Sequence, residues 1–202
     1  MSDSSSGAVQ LPEDAQRVLI YGVTGSGKSS FANTLGLLTG IPVHLVDEEF
    51  GWLPDWTKRA EEEMVRMAES ALAEPAWIFD SAYQEYRSQA TDRAQLVICL
   101  DYSRTRTLWR LVRRTLRRVR TAESICNGNR ETWRKVLSMD SIIIWHFRSF
   151  TAKRRQMRTL ATTPGTLCFR NPRQCQRWLD SLVPVAPTPF SPGSASPGRT
   201  SL

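Results

Sequence analysis

The chain of 202 residues has no long apolar run. Its most hydrophobic stretches, Leu96–Leu100 and residues 142–145, are far shorter than the roughly 18 apolar residues that a membrane-spanning helix needs. The first ten residues contain neither a basic segment nor an apolar one, so we expect no secretory signal there. We therefore expect a cytoplasmic protein with no membrane partner, present as a monomer or a small homo-oligomer.

Cysteine and histidine are scarce, with four cysteines and two histidines in the chain. The cysteines form no CxxC pair and have no histidine at zinc-finger spacing, so neither a zinc centre nor a disulfide framework is indicated. Cys99 lies inside an apolar run, where a buried thiol is expected. We expect all four cysteines to be free thiols.

Charge is distributed unevenly along the chain. Residues 1–100 contain 7 basic and 15 acidic side chains, whereas residues 101–202 contain 20 basic and 5 acidic ones. A basic half is typical of proteins that bind nucleic acid or a membrane surface, and of enzymes that handle phosphates. Composition alone does not distinguish these three classes of protein, so the distinction depends on the sequence motifs.

The pattern of apolar residues predicts one α/β domain over residues 16–183. A leader over residues 1–15 and a tail over residues 184–202, rich in proline and serine, are expected to be disordered. Buried strands that alternate with helices indicate a doubly wound parallel sheet. The predicted strands are residues 17–22, 43–46, 76–79, 95–100 and 166–169. The predicted helices are residues 28–38, 58–73, 105–120, 131–137, 140–160 and 172–182.

A glycine-rich loop between the first strand and the first helix carries the strongest motif. Its sequence GVTGSGKS matches GxxxxGK[ST] at every fixed position, the pattern of a P-loop. Glycines let consecutive amide groups surround a phosphate, and the helix that follows presents its positive end. Lys28 is expected to reach the β- and γ-phosphates of ATP, and the Ser29 hydroxyl to bind Mg²⁺. The predicted nucleotide-binding residues here are Gly22, Val23, Thr24, Gly25, Ser26, Gly27, Lys28, Ser29 and Ser30.

Acidic residues end three of the predicted strands, at the edge where such sheets bind ligands. Asp80 follows an apolar strand and is predicted to hold Mg²⁺ together with Ser29. Asp47 ends the second strand and is predicted to bind the acceptor or to take a proton from its hydroxyl. The alternative for both is a helix cap or a strand-end turn. Asp101 is expected to cap a helix or to pair with an arginine.

The helix after the fourth strand has eight arginines and no acidic residue over residues 104–120. Arg106, Arg110, Arg113 and Arg117 recur at helical spacing and predict a stripe that faces an anion, unless it is a solvated basic face. That anion is either ATP with a phosphorylated or carboxylated substrate, or a nucleic-acid backbone. The polar loop that follows predicts a short Arg-rich lid over residues 113–135. A second basic patch is expected to lie on the surface, with contact to nucleic acid as the alternative; it is formed by Arg148, Lys153, Arg154, Arg155 and Arg158.

Aromatic residues flank the Asp47 and Asp80 segments. Stacking on a planar or cyclic substrate and simple packing both remain open for Trp52, Trp56, Tyr83 and Tyr86.

Several sequence blocks, taken together, resemble a known family. The blocks are RVLIYGVTGSGKSS at residues 17–30, the Asp47 segment with Phe50 and Trp52, WIFDSAY at 77–83, LWRLVRRTLRR at 108–118, NGNRETW at 127–133 and DSIIIWHFRSF at 140–150. They are similar to a bacterial P-loop NTPase family whose members are called adenylate kinase-like or topology modulation proteins. The resemblance covers residues 17–182 and implies a nucleoside-monophosphate-kinase type of fold, with five parallel strands in the order 2-3-1-4-5 and a lid after the fourth. It also implies that Asn171 and Pro172 lie beside adenine and that Arg110 or Arg114 approaches the base or the phosphates.

Three functions are compatible with these features. The first is an ATP-dependent kinase that transfers the γ-phosphate to a nucleotide or another small-molecule acceptor, with Lys28, Asp47, Asp80, Arg110 and Arg114 as catalytic residues. The second is a nucleic-acid-associated regulatory ATPase without kinase activity, suggested by the basic half of the chain. The third is an ATP-binding protein that acts by conformational change alone.

Overall fold

A computed structural model describes residues 15–136 and 142–182 of the chain. The expected leader, apart from Ala15, and the expected tail lie outside the described residues, as does Asp140 in the last resemblance block. Ala15 itself is buried in the core. None of the helices in the described part of the chain has the length and apolar character that crossing a membrane would require.

Five parallel strands form the central sheet. The order is β2-β3-β1-β4-β7, which confirms the predicted α/β fold and, counting those five strands in sequence, the order 2-3-1-4-5. Every residue of β3 and β4 is buried, as expected for strands covered on both faces. The strands of this sheet are β1 (Arg17–Gly22), β2 (Val43–His44), β3 (Trp77–Phe79), β4 (Leu96–Leu100) and β7 (Thr166–Phe169).

Helices cover both faces of the sheet and end close to their predicted positions. The exception is α3, a helix that the sequence pattern does not predict. Its sequence RSQATDR has no apolar periodicity, and the helix buries only Ala90. The helices are α1 (Lys28–Thr39), α2 (Glu61–Ala73), α3 (Arg87–Arg93), α4 (Arg104–Thr121), α5 (Trp133–Val136), α6 (Ile142–Leu160) and α7 (Pro172–Ser181).

Alternate residues of the strands fill two separate core layers. On one face, Ile20 and Ile98 pack with α1 and α7 through side chains such as Phe31 and Trp178. On the other face, residues such as Leu19 and Cys99 pack with α2, α3 and α6. Cys99 is a buried free thiol, as predicted, and the other three cysteines are also unpaired.

The second strand is shorter than predicted. It ends at His44, and a π-helical turn (Asp47–Gly51) follows. The Leu45 carbonyl accepts hydrogen bonds from the amides of Glu48 and Glu49, both at 2.9 Å, and these bonds turn the chain away from the sheet. The prediction that the strand continues through Val46 to Asp47 is therefore wrong, and Asp47 begins the turn instead.

The predicted lid region contains two kinds of structure. Residues 113–121 continue α4 without a break. A small antiparallel hairpin follows, formed by β5 (Ser124–Ile125) and β6 (Asn129–Arg130), which the sequence pattern did not indicate.

Candidate functional site

The P-loop connects β1 to α1 at the C-terminal edge of the sheet. Gly25 and Gly27 have φ angles of 85° and 95°, in the left-handed region that glycine adopts without strain. The Ser26 amide donates to the Val23 carbonyl at 3.1 Å, which closes the turn. Helix α4 packs so closely that a β-carbon on Gly25 would collide with the carbonyl oxygen of Thr107. The glycines therefore permit both the loop conformation and the approach of α4.

Lys28 is the first residue of α1 and lies close to two acidic side chains. Burial lowers the pKa of its ammonium group, whereas the carboxylates of Asp80 and Asp47 act in the opposite direction. The structure therefore brings together the three residues that the sequence predicts for phosphate binding, metal binding and acceptor chemistry.

Ser29 and Asp80 form a direct pair across the end of the sheet. The Ser29 hydroxyl donates to Asp80 Oδ2 at 2.5 Å, and the Val46 amide donates to Oδ1 at 3.0 Å. Burial raises the pKa of Asp80, while Lys28 and these two hydrogen bonds act to lower it. The carboxylate is thus held in one orientation beside the P-loop.

This pair fits the donor set that Mg²⁺ takes in nucleotide sites. Mg²⁺ is usually held by one or two protein oxygens together with phosphate oxygens and water. The described residues contain no cluster of three or more histidine, cysteine, aspartate or glutamate side chains that could form an all-protein metal cage. Ser29 and Asp80 therefore fit Mg²⁺ that arrives with a nucleotide.

Asp47 is exposed in the π-helical turn and is oriented by a tyrosine. The Tyr83 hydroxyl donates to Asp47 Oδ1 at 2.8 Å. Burial, followed by the charge of Asp47, raises the pKa of Tyr83, so its proton stays in this hydrogen bond at neutral pH. No described residue donates a hydrogen bond to the second carboxylate oxygen of Asp47, which stays available to a ligand.

Arg110 and Arg114 are the arginines of α4 that face the site. Arg110 Nη1 donates to the Ser26 carbonyl at 3.3 Å. Burial, and then the charge of Arg118, lowers the pKa of Arg114, whereas Glu131 and Asp47 act in the opposite direction. Both guanidinium groups therefore lie next to the residues of the predicted phosphate and acceptor sites.

The predicted stripe of four arginines does not face one anion. Arg113 stacks over the Trp109 ring at 5.3 Å, and Arg117 pairs with Glu123 at 3.0 Å. The reason is that α4 buries a face formed by Thr107, Leu111 and Thr115, which rotates Arg113 and Arg117 away from the P-loop. The stripe prediction is wrong, although its member Arg110 does reach the loop.

The hairpin β5–β6 is docked on the segment that follows Asp47. Asn129 is buried; its Oδ1 accepts from the Trp56 amide at 2.6 Å and its Nδ2 donates to the Leu53 carbonyl at 2.9 Å. Asn127 Nδ2 donates to the carbonyls of Glu48 and Trp52 at 2.7 and 2.6 Å. The hairpin thus holds the chain around Asp47 in place.

The remaining predicted nucleotide residues lie around the loop and at the end of β7. The Thr24 carbonyl accepts from His146 Nδ1 of α6 at 3.0 Å, and Ser30 is exposed on the first turn of α1. Asn171 caps α7, because its Oδ1 accepts from the Gln174 amide at 3.0 Å, and Pro172 occupies the first turn. Within the described part of the chain, no hydrogen bond or ion pair joins Asn171 or Pro172 to the P-loop.

The aromatic residues near the site mostly pack against other residues. Tyr86 is fully buried in the core, which excludes stacking on a substrate. Trp52 and Trp56 contact each other edge to face, with ring centroids 5.7 Å apart. The Tyr83 hydroxyl donates to Asp47, and Lys58 Nζ lies 5.9 Å from the centroid of the Tyr83 ring.

Sequence reasoning missed two residues of α6. His146 is fully buried against the P-loop, and Lys153 points into the protein and not onto the predicted surface patch. The buried residues of α6 are His146, Phe150 and Met157, and Lys153 lies on the same helical stripe. This spacing in the sequence was the signal that could have placed Lys153 on the buried face of α6. Asp101 pairs with Arg154 at 3.0 Å, as predicted.

The fold and this site together define an α/β protein with a P-loop. Among solved structures, the chain is similar to a gluconokinase from Sinorhizobium meliloti 1021, with 15% identity and a TM-score of 0.49 over 84% of this chain and 94% of that one. It is also similar to deoxyadenosine kinase from M. mycoides with bound dATP, with 13% identity and a TM-score of 0.47 over 82% and 98% of the two chains. No protein-family model matches the chain, and no curated protein is significantly similar to it.

Proposed function

We propose that the protein is an ATP-dependent phosphotransferase that transfers the γ-phosphate to a small-molecule or nucleotide acceptor. The observation that carries the proposal is the convergence of Lys28, the Ser29–Asp80 pair and Asp47 at one edge of the sheet. Binding of a nucleotide by a P-loop requires only Lys28 and the Ser29–Asp80 pair. The exposed Asp47, oriented by Tyr83, adds a group that can act on an acceptor.

The proposed transfer is a displacement at the γ-phosphorus. The acceptor oxygen forms a bond to this phosphorus while the bond to the oxygen that bridges the β- and γ-phosphates breaks, so ADP leaves with that electron pair. Asp47 accepts the proton when the acceptor group is a hydroxyl. Lys28, Arg110 and Arg114 stabilise the negative charge that spreads over the transferring group.

Magnesium, when bound with the nucleotide by Ser29 and Asp80, would neutralise charge on the phosphate oxygens. The P-loop amides from Gly22 to Ser30 are proposed to surround the phosphates. Asn171 and Pro172, at the end of β7, are proposed to border the adenine.

Transfer of label from γ-labelled ATP tests the proposal. The full chain is incubated with Mg²⁺ and labelled ATP in the presence of nucleosides, nucleotides, and small hydroxyl or acid metabolites. Label is expected in at least one acceptor. Hydrolysis that proceeds while every acceptor remains unlabelled would contradict the kinase and favour an ATPase.

Replacing the P-loop lysine tests the site itself. We expect Lys28→Ala to lower nucleotide turnover by about a hundredfold or more, because the ammonium group stabilises charge on the transferring phosphate. The thermal melting temperature should not fall, since burial already disfavours this charge in the free protein. Arg66→Ala, an exposed change on α2, is the control and should leave turnover unchanged. Wild-type turnover in folded Lys28→Ala protein would refute the assignment.

A further inference from the structure

A small cavity lies beside the P-loop, between β1, α3 and α6. Its volume is about 40 Å³, and its polar lining includes Lys28, Ser81, Arg87, Lys153 and Gln156. None of the described residues that line it is acidic. The cavity therefore presents three cationic side chains from three helices to one small space.

The protein leaves two of these three charges without an ion-pair partner among the described residues, whereas Lys28 lies close to Asp80 and Asp47. Neither Arg87 nor Lys153 forms an ion pair with any described residue, and Arg87 Nε is buried without a hydrogen-bond partner. Burial, together with the like charges of Lys28 and Arg87, lowers the pKa of Lys153 to about 8, and only Asp47 opposes this shift. Like charges held together in a partly dry space repel, so this arrangement destabilises the free protein.

The nucleotide accounts for only one of the three cations. Lys28 belongs to the P-loop and faces the phosphates of ATP in the proposed function. Arg87 and Lys153 come from α3 and α6, on the opposite core layer from α1. The described residues of the lining offer no carboxylate to these two cations, which leaves them available to a second anion.

We propose that this cavity binds a phosphate or carboxylate group of the acceptor, so that the protein phosphorylates anionic acceptors. This inference rests on the phosphotransferase function proposed above. A space of about 40 Å³ has room for roughly three water molecules, which suits one such group and excludes a ring. Ser81 and Ala82 of the lining directly follow Asp80, so an acceptor anchored here has its remaining atoms close to Asp47 and Lys28.

Matched acceptors distinguish an anionic substrate from a neutral one. Glycerol, glycerol phosphate and glycerate share hydroxyl groups and differ in charge, as do a nucleoside and its 5′-monophosphate. In the set of acceptors that the protein phosphorylates faster, we expect kcat/KM for the anionic member to exceed that for the neutral member by about tenfold or more. This ratio corresponds to the free energy of one charge-assisted hydrogen bond. The comparison of glycerol phosphate with glycerate shows whether the cavity binds a phosphate or a carboxylate group. A preference for the neutral member would overturn the inference and leave the kinase function intact.

Variants at the cavity test its residues. Lys153→Gln should raise KM for the anionic acceptor about tenfold, with a smaller effect on kcat and none on the KM for ATP. Arg155→Gln, an exposed change on the same helix, is the matched control and should change neither. If Lys153→Gln does not fold, Arg87→Gln is used with the same expectation. An unchanged KM in the folded variant would overturn the inference.

An equilibrium titration separates this inference from the proposed function. The protein is first titrated with a non-hydrolysable Mg·ATP analogue, and then with inorganic phosphate or acetate at constant ionic strength. We expect the analogue to bind wild type and Lys153→Gln equally, and at least one of the two anions to bind wild type alone. Analogue binding without any anion binding, or equal anion binding to both proteins, overturns the cavity assignment only. Failure of the analogue to bind would refute the phosphotransferase itself.

Discussion

At the scale of single residues, Lys153 shows how a partly buried charge affects stability. Its pKa is about 8 in the folded protein and 10.5 without the fold, with Lys28 of α1, Arg87 of α3 and Asp47 of the π-helical turn as the charged groups that act on it. Between these two values the unfolded chain holds the proton and the folded one does not, so this group makes stability rise with pH there. Below pH 8 Lys153 is protonated in both states, so its burial lowers the free energy of unfolding by the full amount.

We therefore predict that Lys153→Met increases the free energy of unfolding at pH 7 by about 1 kcal/mol, a value reduced for partial exposure. The gain should shrink as the pH rises from 8 to 10.5, because wild-type Lys153 then loses its proton. Denaturant unfolding in chloride buffer at pH 7 and pH 10 measures the difference. A variant that is less stable than wild type at pH 7 would show that the side chain is compensated in a way that the structure does not contain.

At the scale of elements, the docking of the hairpin β5–β6 depends on the side chain of one residue, Asn129. Asn129 is 3% exposed and bonds both sides of the Leu53–Trp56 segment, whose residue Trp56 has a φ of 57°. An L-residue with a large side chain adopts this conformation at a cost, so the segment depends on its partners.

Asn129→Ala should lower the free energy of unfolding by about 2 kcal/mol, because it leaves the partly buried amide of Trp56 and carbonyl of Leu53 without their partners. Amides 52–57 should exchange with solvent faster, and transfer to the acceptor should slow as Asp47 loses its position. Hydrogen exchange with mass spectrometry measures the first effect. Asn127→Ala is the control: its side chain is exposed, and a smaller loss is expected. Equal exchange in wild type and Asn129→Ala would contradict the proposed anchoring.

At the scale of the whole molecule, the basic half of the chain is less available to a polyanion than its composition suggests. Arg117, Arg118 and Arg154 pair with carboxylates, and Arg110 faces the P-loop. Exposed arginines and the exposed ring of Trp109 do remain on α4. Binding to nucleic acid therefore distinguishes the proposed kinase from the nucleic-acid-associated ATPase.

We predict only salt-sensitive, nonspecific binding to single- or double-stranded DNA, no tighter than about 10⁻⁵ M at physiological salt. ATP should not strengthen it. Gel-shift titrations at two salt concentrations, with and without Mg·ATP, provide the measurement. Tight binding that depends on ATP would favour the regulatory ATPase instead.

Some parts of the fold and of the site could be predicted from the sequence, and others could not. The P-loop, Asp80 and the positions of the five main strands followed from short apolar runs and one motif, whereas the order of these strands followed from the family resemblance. The strand before Asp47 was predicted too long because its end depends on hydrogen bonds to the Leu45 carbonyl and not on apolar pattern. The orientation of the arginines on α4 depends on Thr107 and Thr115, which are buried although they are polar.

The sequence alone determined the position and the turn of the P-loop, because its conformation depends on glycines and on neighbours along the chain. Tertiary structure alone decided the environment of Arg87 and Lys153, since only the packing of α3 and α6 against β1 brings these distant residues to one cavity. A charged side chain in a helix has the same local pattern whether it faces water or a substrate. What differs is the packing partner, and that is a property of the folded chain.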